Sequence, residues 1–324
     1  MELLALVLAA LAFLLAVPVP RLLYRARFGA RSPWAAMLLW QAIALAGGLS
    51  LVGAPIIYGL APFGNSLPVA LSTAVRLTLT EDYVTLAELH VDPSHIFSLC
   101  LGLLLGGHLL LTLLRTYLRV LSARRRHRQM VELLSTPLRG GELPEIEDGM
   151  SEAQIIEHEA PMAYCLPGRT SSRSVTVLSR GLLNQLSKEE LAAVVAHERT
   201  HLLQRHHLLT MAFDAWYRAL PWLPTTRYGR EAVMELTEML ADDGALGIHS
   251  REDLLRSLAL SSPEPEGRHS TAEDATDRNP ALITTARLQR LLIPPRPLSR
   301  PALAGVVTAS TVLLGAPTVL LLVS

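Results

Sequence analysis

Four long apolar runs dominate the pattern of hydrophobic and polar positions along the chain. They cover residues 3–19, 34–60, 96–118 and 302–323. A helix of about 20 apolar residues is long enough to cross the roughly 30 Å hydrocarbon core of a bilayer. Half of all residues are hydrophobic and only 18% are charged, which is typical of a membrane protein. The pattern therefore predicts four transmembrane helices.

The first run could also be a signal peptide, because its length suits the apolar part of one. However, the two residues before it carry no positive charge, and no convincing small-residue cleavage site follows it. Its positive charges come afterwards, at Arg21, Arg25, Arg27 and Arg31. This order is the reverse of a signal peptide, and we interpret the run as an uncleaved first span.

The arginines between the spans predict the orientation of the chain. Segment 20–33 carries four arginines and no acid, whereas segment 61–95 carries one arginine and four acids. The chain after residue 118 is rich in arginine again. Because arginine is enriched in cytoplasmic loops, we expect a multi-pass plasma-membrane protein with 20–33 inside and 61–95 outside. Residues 119–300 would then be cytoplasmic, and both chain termini would lie outside.

The segment between the third and fourth runs has shorter periods. We predict a basic helix over about 112–135, strands at Ala153–Glu157, Pro161–Leu166 and Ser174–Leu178, and helices over about 188–205, 230–247 and Leu282–Leu292. Loops are predicted at Gly140–Pro144 and Pro167–Arg169, and the polar segment 261–280 is expected to be mobile. The predicted fold class is an α-helical polytopic membrane protein with a cytoplasmic α+β domain. Its parts are residues 1–118 with three spans, 119–300 with the domain, and 301–324 with the fourth span.

Residues 206–224 have two interpretations. Trp216, Tyr217 and Trp222 lie among leucines and form an apolar, aromatic face. That face could pack in the core, or it could lie in the membrane interface, where Trp and Tyr are favoured. The segment is too polar for a fifth span. Spanning would also put the two halves of the site described next on opposite sides of the bilayer.

The helix predicted from residue 188 carries the motif His-Glu-x-x-His. Ser187 and Glu190 predict a capping box at its start. His197 and His201 would lie one turn apart on the same face, which is the spacing at which two imidazoles hold one zinc ion. Glu198 would point about 100° around the helix, where it could act as a general base beside the ion. The motif therefore predicts a zinc site.

A catalytic zinc site needs a third protein ligand. Glu238 and Asp242 are four residues apart on the helix 230–247, so they share a face. We choose Glu238 as the ligand and expect Asp242 to accept a hydrogen bond from a ligand imidazole. The alternative ligands on this helix are Glu231, Glu235 and Asp243.

Other polar residues have weaker claims to a role. His249 or Arg230 could stabilise an oxyanion, although each could equally be a plain surface residue. His206 and His207 follow the motif on the same helix, and we interpret them as structural or interfacial, since catalytic zinc needs no fourth protein ligand. The two cysteines have no Cys-x-x-Cys partner, so neither a disulfide framework nor a thiolate zinc site is expected.

The motifs together resemble a known group. His-Glu-x-x-His followed by Glu-x-x-Ala-Asp at 238–242 is similar to the gluzincin membrane peptidases related to the HtpX and CAAX prenyl proteases. The stretches Ala163–Gly168 and Val175–Leu191 fit the same group. The resemblance implies a gluzincin-type zinc metallopeptidase domain. It implies that His197, His201 and Glu238 bind zinc, that Glu198 is the catalytic base, and that Asp242 holds a ligand imidazole.

Within that group, the topology resembles the BlaR/MecR-type sensor peptidases, as does Arg287–Leu292 before the last span. Those sensors carry an extracellular penicillin-binding domain after the last span, and we expect this chain to lack it. The difference argues against drug sensing. The group resemblance also implies that strand Pro161–Leu166 lies at a sheet edge and pairs with the substrate backbone. An ordinary interior strand is the alternative.

Three functions follow from these features. The first is an endopeptidase that cuts a cytosolic or membrane-associated regulator, such as a winged-helix repressor, in signalling or transcriptional de-repression. The second is an HtpX-like quality-control peptidase for membrane proteins. The third is a non-catalytic membrane signalling protein with a structural zinc site, which the presence of Glu198 disfavours. The expected partners are a protein substrate and the bilayer. The net charge of zero gives no reason to expect direct binding to nucleic acid. The sequence leaves open whether the protein forms a homo-oligomer.

Overall fold

The computed structural model describes residues 1–26, 28–80, 84–85, 89, 91–137, 151–166, 174–261 and 280–323. The chain forms two compact units. The first, which we call the span unit, contains Met1–Tyr117, Met211–Val233 and Leu298–Ser324. The second, the sheet unit, contains Leu118–Thr210 and Met234–Pro297. The predicted loop at Gly140–Pro144, the turn at Pro167–Arg169 and nearly all of the polar segment 261–280 lie outside the described residues.

Helices make up most of the described chain. In chain order they are α1 (Glu2–Ala16), α2 (Pro18–Arg25), α3 (Pro33–Leu60), α4 (Leu67–Leu79), α5 (Pro93–Leu134), α6 (Arg180–Gln185), α7 (Lys188–Leu203), α8 (His206–Ala219), α9 (Pro224–Leu246), α10 (Arg251–Ser261), α11 (Pro280–Leu292) and α12 (Arg300–Val323). Within the described residues, four stretches are long and apolar enough to cross a membrane, namely Glu2–Arg25, Pro33–Phe63, Pro93–Leu134 and Arg300–Leu321. They coincide with the four predicted runs, so the prediction of four membrane-capable helices is confirmed.

Three details of the helices differ from the prediction. The third run and the basic helix are one continuous helix, α5, because no proline or glycine pair between them stops it. The first run is divided at Val17, where Pro18 starts α2. Helix α4 lies in the segment that we had expected to be a loop between spans.

Helix α3 is the centre of the span unit, and both α1 and α12 pack against it. Buried Leu8 and Ile57 belong to one cluster between these helices, and Leu15 and Ile43 to another. Helix α5 approaches α3 closely at Gly59, where an added Cβ would lie 2.6 Å from Leu99 Cβ. Small residues at such positions let helix backbones come together, which is how helices associate in membranes.

The segment 206–224 forms α8 and the turn after it. Within the span unit, Ala219, Leu220 and Leu223 are buried against apolar residues of α3 and α5 such as Leu51 and Leu105. Trp222 in the same turn is 74% exposed. The turn after α8 therefore packs in the core, whereas Trp216 and Tyr217 are only partly buried, so the core and interfacial interpretations of the aromatic face both stay predictions.

The sheet unit contains a four-stranded sheet. Its strands are β1 (Ser135–Pro137), β2 (Ser151–Ile156), β3 (Ala163–Leu166) and β4 (Ser174–Ser179), in the spatial order β1-β2-β4-β3. Strand β2 pairs parallel with β4, and the other two pairings are antiparallel. The prediction of three strands here was right in place, but β1 was missed because it is short and ends in a proline. Strand β3 lies at an edge of the described sheet, so the alternative of an interior strand is wrong.

Helix α7 lies between two apolar layers of the sheet unit. One side, with Leu191 and Val195, packs on Leu178 of β4. The other side, with Ala193, packs on residues of α9, α10 and α11. A Cβ at Gly244 of α9 would overlap Thr200 of α7, so the two helices approach very closely there. The close approach brings the acids of α9 next to the histidines of α7.

Candidate metal centre

Helix α7 begins with the predicted capping box, which is confirmed. The Ser187 N–H donates to Glu190 Oε2 over 2.8 Å, and the Glu190 N–H donates to Ser187 Oγ over 3.2 Å. These bonds satisfy backbone donors that the first turn leaves unpaired. The helix ends at Leu203, two residues before the predicted end, because Arg205 adopts a left-handed conformation with φ of 52°. The whole motif lies on regular helix before this turn.

The structure brings His197, His201 and Glu238 together. Nε2 of His197 lies 3.2 Å from Nε2 of His201. Glu238 Oε2 is 3.6 Å from the first of these nitrogens, and Oε1 is 3.5 Å from the second. Among the residues described, these three form the group of His, Cys, Asp or Glu that could hold a metal ion.

The distances in this group fit zinc. Zinc holds His and Glu ligands at about 2.0–2.2 Å in a tetrahedron, so neighbouring ligand atoms lie roughly 3.3–3.6 Å apart. The two imidazole nitrogens, 3.2 Å apart, are slightly closer than that edge length. Each of them lies 3.5–3.6 Å from a different oxygen of the Glu238 carboxylate. Two imidazoles and one carboxylate are also a ligand set that catalytic zinc sites use. That these residues are the ligands stays a prediction.

Asp242 supports the site from behind. Its Oδ1 lies 3.0 Å from Nδ1 of His197, the ring nitrogen that faces away from Glu238. A carboxylate in this place keeps the proton on Nδ1 and leaves Nε2 free to bind a metal. The side chain of Asp242 is 1% exposed. Asp242 thus lies against His197, and its role as the acceptor that holds this imidazole stays a prediction.

Arg287 of α11 joins both acids, and sequence reasoning did not identify it as a site residue. Its Nε and Nη2 donate to the two Asp242 carboxylate oxygens over 2.9 and 2.7 Å, and Nη1 lies 3.0 Å from Glu238 Oε2. Three residues further on, Arg290 pairs with Asp243. The sequence signal for this contact was the pair Arg287 and Arg290, which lie three residues apart on one face of α11. Their partners, Asp242 and Asp243, are adjacent residues of α9.

Glu198 is held beside the group in a largely buried position. Burial raises the pKa of its carboxyl to about 7, and Glu238 adds to the rise while His197 and Arg287 oppose it. A carboxyl with a pKa near neutrality can both take up and release a proton under physiological conditions. The position therefore suits a general base.

The pKa values of the other groups separate strongly. Burial alone would raise the pKa of Glu238, but His197, Arg287 and His201 bring it down to about 2. Burial lowers the pKa of His201 to about 4. Burial also acts to lower the pKa of His197, but the Asp242 and Glu238 carboxylates outweigh it and raise the value to about 9. A metal ligand must be a neutral imidazole, so a metal ion at His197 competes with the proton that these carboxylates favour.

The remaining candidates are engaged elsewhere. Asp243 pairs with Arg290, and Glu231 pairs with Arg227 on its own helix. Arg230, in the span unit, lies 3.0 Å from Asp214 and 4.7 Å from the centre of the Tyr217 ring. His249 follows the C-terminal end of α9. The suggested oxyanion roles of Arg230 and His249 stay predictions.

Two histidines that we had interpreted as structural have different surroundings. His206 is 3% exposed, and its Nδ1 lies 2.9 Å from Nδ1 of His201. His207 is half-buried, and burial together with nearby arginines lowers its pKa to about 4. Sequence spacing gave no signal for the first contact, because it depends on the turn at Arg205.

Two histidines on one helix and a glutamate from a second helix, with a further glutamate near them, form the kind of site that zinc metallopeptidases use. Residues 122–257 match Peptidase family M48. That region includes all five predicted site residues and ends before Arg287. The chain is also 40% identical over 60 residues to a "Protease HtpX homolog" from Desulfatibacillum aliphaticivorans.

The match to that relative is short. It covers 18% of this chain and 19% of the relative, so the chain spans about a fifth of the length of the curated protein it matches. No solved structure gave a significant match. The comparisons therefore show similarity to peptidases over the part of the chain that carries the candidate metal centre.

Proposed function

We propose that this protein is a membrane-bound zinc endopeptidase. The observation that carries the proposal is the group of His197, His201 and Glu238 with Glu198 beside it. The match to Peptidase family M48 over residues 122–257 and the four membrane-capable helices support it. The gluzincin assignment rests on the resemblance of His-Glu-x-x-His followed by Glu-x-x-Ala-Asp at 238–242 to that group.

His197, His201 and Glu238 would hold the zinc ion. When bound there, zinc acts as a Lewis acid that acidifies water and polarises the scissile carbonyl. Glu198 takes a proton from the attacking water and passes it to the departing amine. Asp242 and Arg287 hold His197 and Glu238 in place during both transfers. The buried position of Glu198 keeps its pKa suited to both directions of transfer.

The proposed substrate is a cytosolic or membrane-associated regulator, in signalling or transcriptional de-repression. Support comes from the order of spans and domain, which resembles the BlaR/MecR-type peptidases, and from the arginine distribution, which favours a cytoplasmic site. A winged-helix repressor is the type of regulator that this resemblance suggests.

A second candidate is quality control of membrane proteins in the manner of HtpX. The similarity to a "Protease HtpX homolog" favours it, and that similarity lies in sequence and not only in topology. A non-catalytic protein with a structural zinc site is disfavoured, because such a site has no use for a buried carboxyl with a pKa near 7.

The test compares protein fragments in cells that express the wild type or Glu198→Gln. Glu189→Gln is the matched control, since Glu189 is an exposed acid on the same helix. New N-termini of a soluble regulator, seen only with wild type and control, would support the first candidate. New N-termini of many membrane proteins would favour quality control. An identical set of fragments in all three strains would contradict a peptidase.

A further inference from the structure

The second ligand histidine, His201, has a partner at its far ring nitrogen that differs from that of the first. His197 Nδ1 faces a carboxylate, that of Asp242. His201 Nδ1 instead faces another imidazole, with its Nδ1 atom 2.9 Å from Nδ1 of His206. The two rings meet edge to face, with centroids 4.8 Å apart.

The direction of this hydrogen bond follows from the next contact. His206 Nε2 lies 2.9 Å from Oε1 of Gln204, an amide oxygen that can only accept. His206 must therefore carry its proton on Nε2, and its Nδ1 holds a lone pair. That lone pair accepts from Nδ1–H of His201. A neutral imidazole has only one such proton, so Nε2 of His201 is left with a free lone pair.

That nitrogen is the one that faces the metal group. His201 Nε2 lies 3.5 Å from Glu238 Oε1 and 3.2 Å from His197 Nε2. The direction of the two hydrogen bonds that link Gln204, His206 and His201 thus selects the tautomer of His201 that can bind a metal.

The backbone turn that makes this contact is costly. Arg205, between Gln204 and His206, has a φ of 52°, in the left-handed region that residues with a side chain rarely adopt. Strained residues persist where the surrounding structure requires them. Here the turn at Arg205 ends α7 and reverses the backbone, so that His206 contacts the ring of His201 in the last turn of that helix.

We propose that His206, held by Gln204, is a positioning residue that fixes the tautomer and ring orientation of His201 for metal binding. The inference rests on the proposed metal site. It assigns the two histidine ligands different supports: a charged carboxylate for His197 and a neutral imidazole for His201.

The test measures zinc affinity of the full-length, detergent-solubilised protein by competition with a chromophoric chelator. His206→Leu keeps an apolar side chain of similar bulk but removes the acceptor, and should raise the Kd for zinc roughly 10-fold or more. His206→Asn presents an amide oxygen close to the position of Nδ1, and should restore the Kd to within about 3-fold of wild type. His207→Ala is the matched control and should leave the Kd unchanged.

The exposed side chain of Gln204 provides a variant with little risk to folding. Gln204→Ala should raise the Kd by about 3-fold or more, because it frees His206 to adopt the other tautomer. Gln204→Glu can only accept, and should bind zinc at least as well as wild type. Thermal unfolding of each metal-free variant reports whether folding has changed.

Wild-type zinc affinity in both His206→Leu and Gln204→Ala would overturn the proposal. If His206→Leu does not fold, Gln204→Ala decides, and an unchanged Kd there would overturn it. Equal loss in His206→Leu and His206→Asn would assign His206 to packing and would also overturn it. The readout does not depend on peptide cleavage. A protein that binds zinc as described but cleaves nothing would contradict the proposed function and leave this inference standing.

Discussion

Charge balance governs the candidate site at the scale of single residues. Three carboxylates, those of Glu198, Glu238 and Asp242, face one guanidinium, that of Arg287. With Glu198 ionised and both ligand imidazoles neutral, as metal binding requires, the group has an excess of two negative charges. A divalent cation removes that excess, so the charge of the site and the spacing of its ligand atoms agree.

Glu238 is predicted to be the third ligand, so Glu238→Ala should lower zinc occupancy about 10-fold or more. Zinc per chain is measured on the purified protein, with about one equivalent expected for the wild type. Glu235→Ala, on the same helix, is the control and should keep the wild-type value. Unchanged zinc in Glu238→Ala would move the third ligand to a neighbouring acid.

Arg287 neutralises two acids that are largely buried, so Arg287→Met should be strongly destabilising. Removal of one partner from a buried ion pair costs about 3–5 kcal/mol, because the remaining charges stay buried and unpaired. Arg290→Met is the matched control. Its partner Asp243 is 40% exposed, and loss of such a pair costs about 1 kcal/mol or less. The stability of both metal-free variants is measured by thermal unfolding. Equal stability of Arg287→Met and Arg290→Met would contradict this account.

At this scale, the sequence was informative where spacing along one helix decides. His197 and His201 share a face because they are four residues apart, and the same rule relates Glu238 to Asp242. Arg287 and His206 were missed because their contacts depend on how α11 and the turn at Arg205 pack, which local spacing does not encode.

At the scale of secondary-structure elements, strand β3 is the edge at which we predict that the substrate backbone pairs. The Ser179 N–H donates to the Met162 carbonyl, which makes this a hydrogen-bonded pair beside β3 and β4. Pairs alternate along an antiparallel ladder, so Tyr164 also bonds toward β4, whereas the N–H and C=O of Ala163 point to the open edge. Burial is the main cause of the raised pKa of Cys165 in β3, and the Glu198 charge adds to it, so the strand lies close to the proposed base.

This alternation makes two proline variants informative. Ala163→Pro removes a donor from the open edge only, and should leave zinc content and folding normal while KM rises or cleavage is lost. Tyr164→Pro removes a donor of the β4 ladder and should reduce folding and zinc content as well. Normal cleavage by a zinc-loaded Ala163→Pro would contradict substrate pairing at this edge.

Element types could be predicted more reliably than their ends. The capping residues Ser187 and Glu190 located the start of α7 correctly, since the signal is local. Its end was missed, because Arg205 carries none of the usual preference for a left-handed conformation. The fusion of the third run with the basic helix into α5 was also missed, because the change from apolar to basic residues was interpreted as a boundary.

Orientation in the membrane is the central question for the whole molecule. The four membrane-capable helices were predicted from hydropathy alone, but the sides they face depend on the arginines between them. The bounds of 1–118, 119–300 and 301–324 for spans, domain and last span stay predictions, as does the cytoplasmic position of the zinc site. These determine which proteins the site could reach.

Reporter fusions test the orientation directly. A reporter fused after residue 28 or after residue 150 should be cytoplasmic, because arginine-rich segments flank both positions. One fused after residue 78 should be external. An external reporter at residue 150 would place the metal site across the membrane and remove cytosolic proteins as substrates.

The central claim, a zinc peptidase with Glu198 as its base, is tested most directly with the purified full-length protein. Zinc content and cleavage of an unfolded protein substrate are measured for the wild type, Glu198→Gln and the control Glu189→Gln. The account predicts about one zinc per chain in all three, and a loss of roughly 100-fold or more in turnover for Glu198→Gln alone. Cleavage by zinc-loaded Glu198→Gln at the wild-type rate would contradict it.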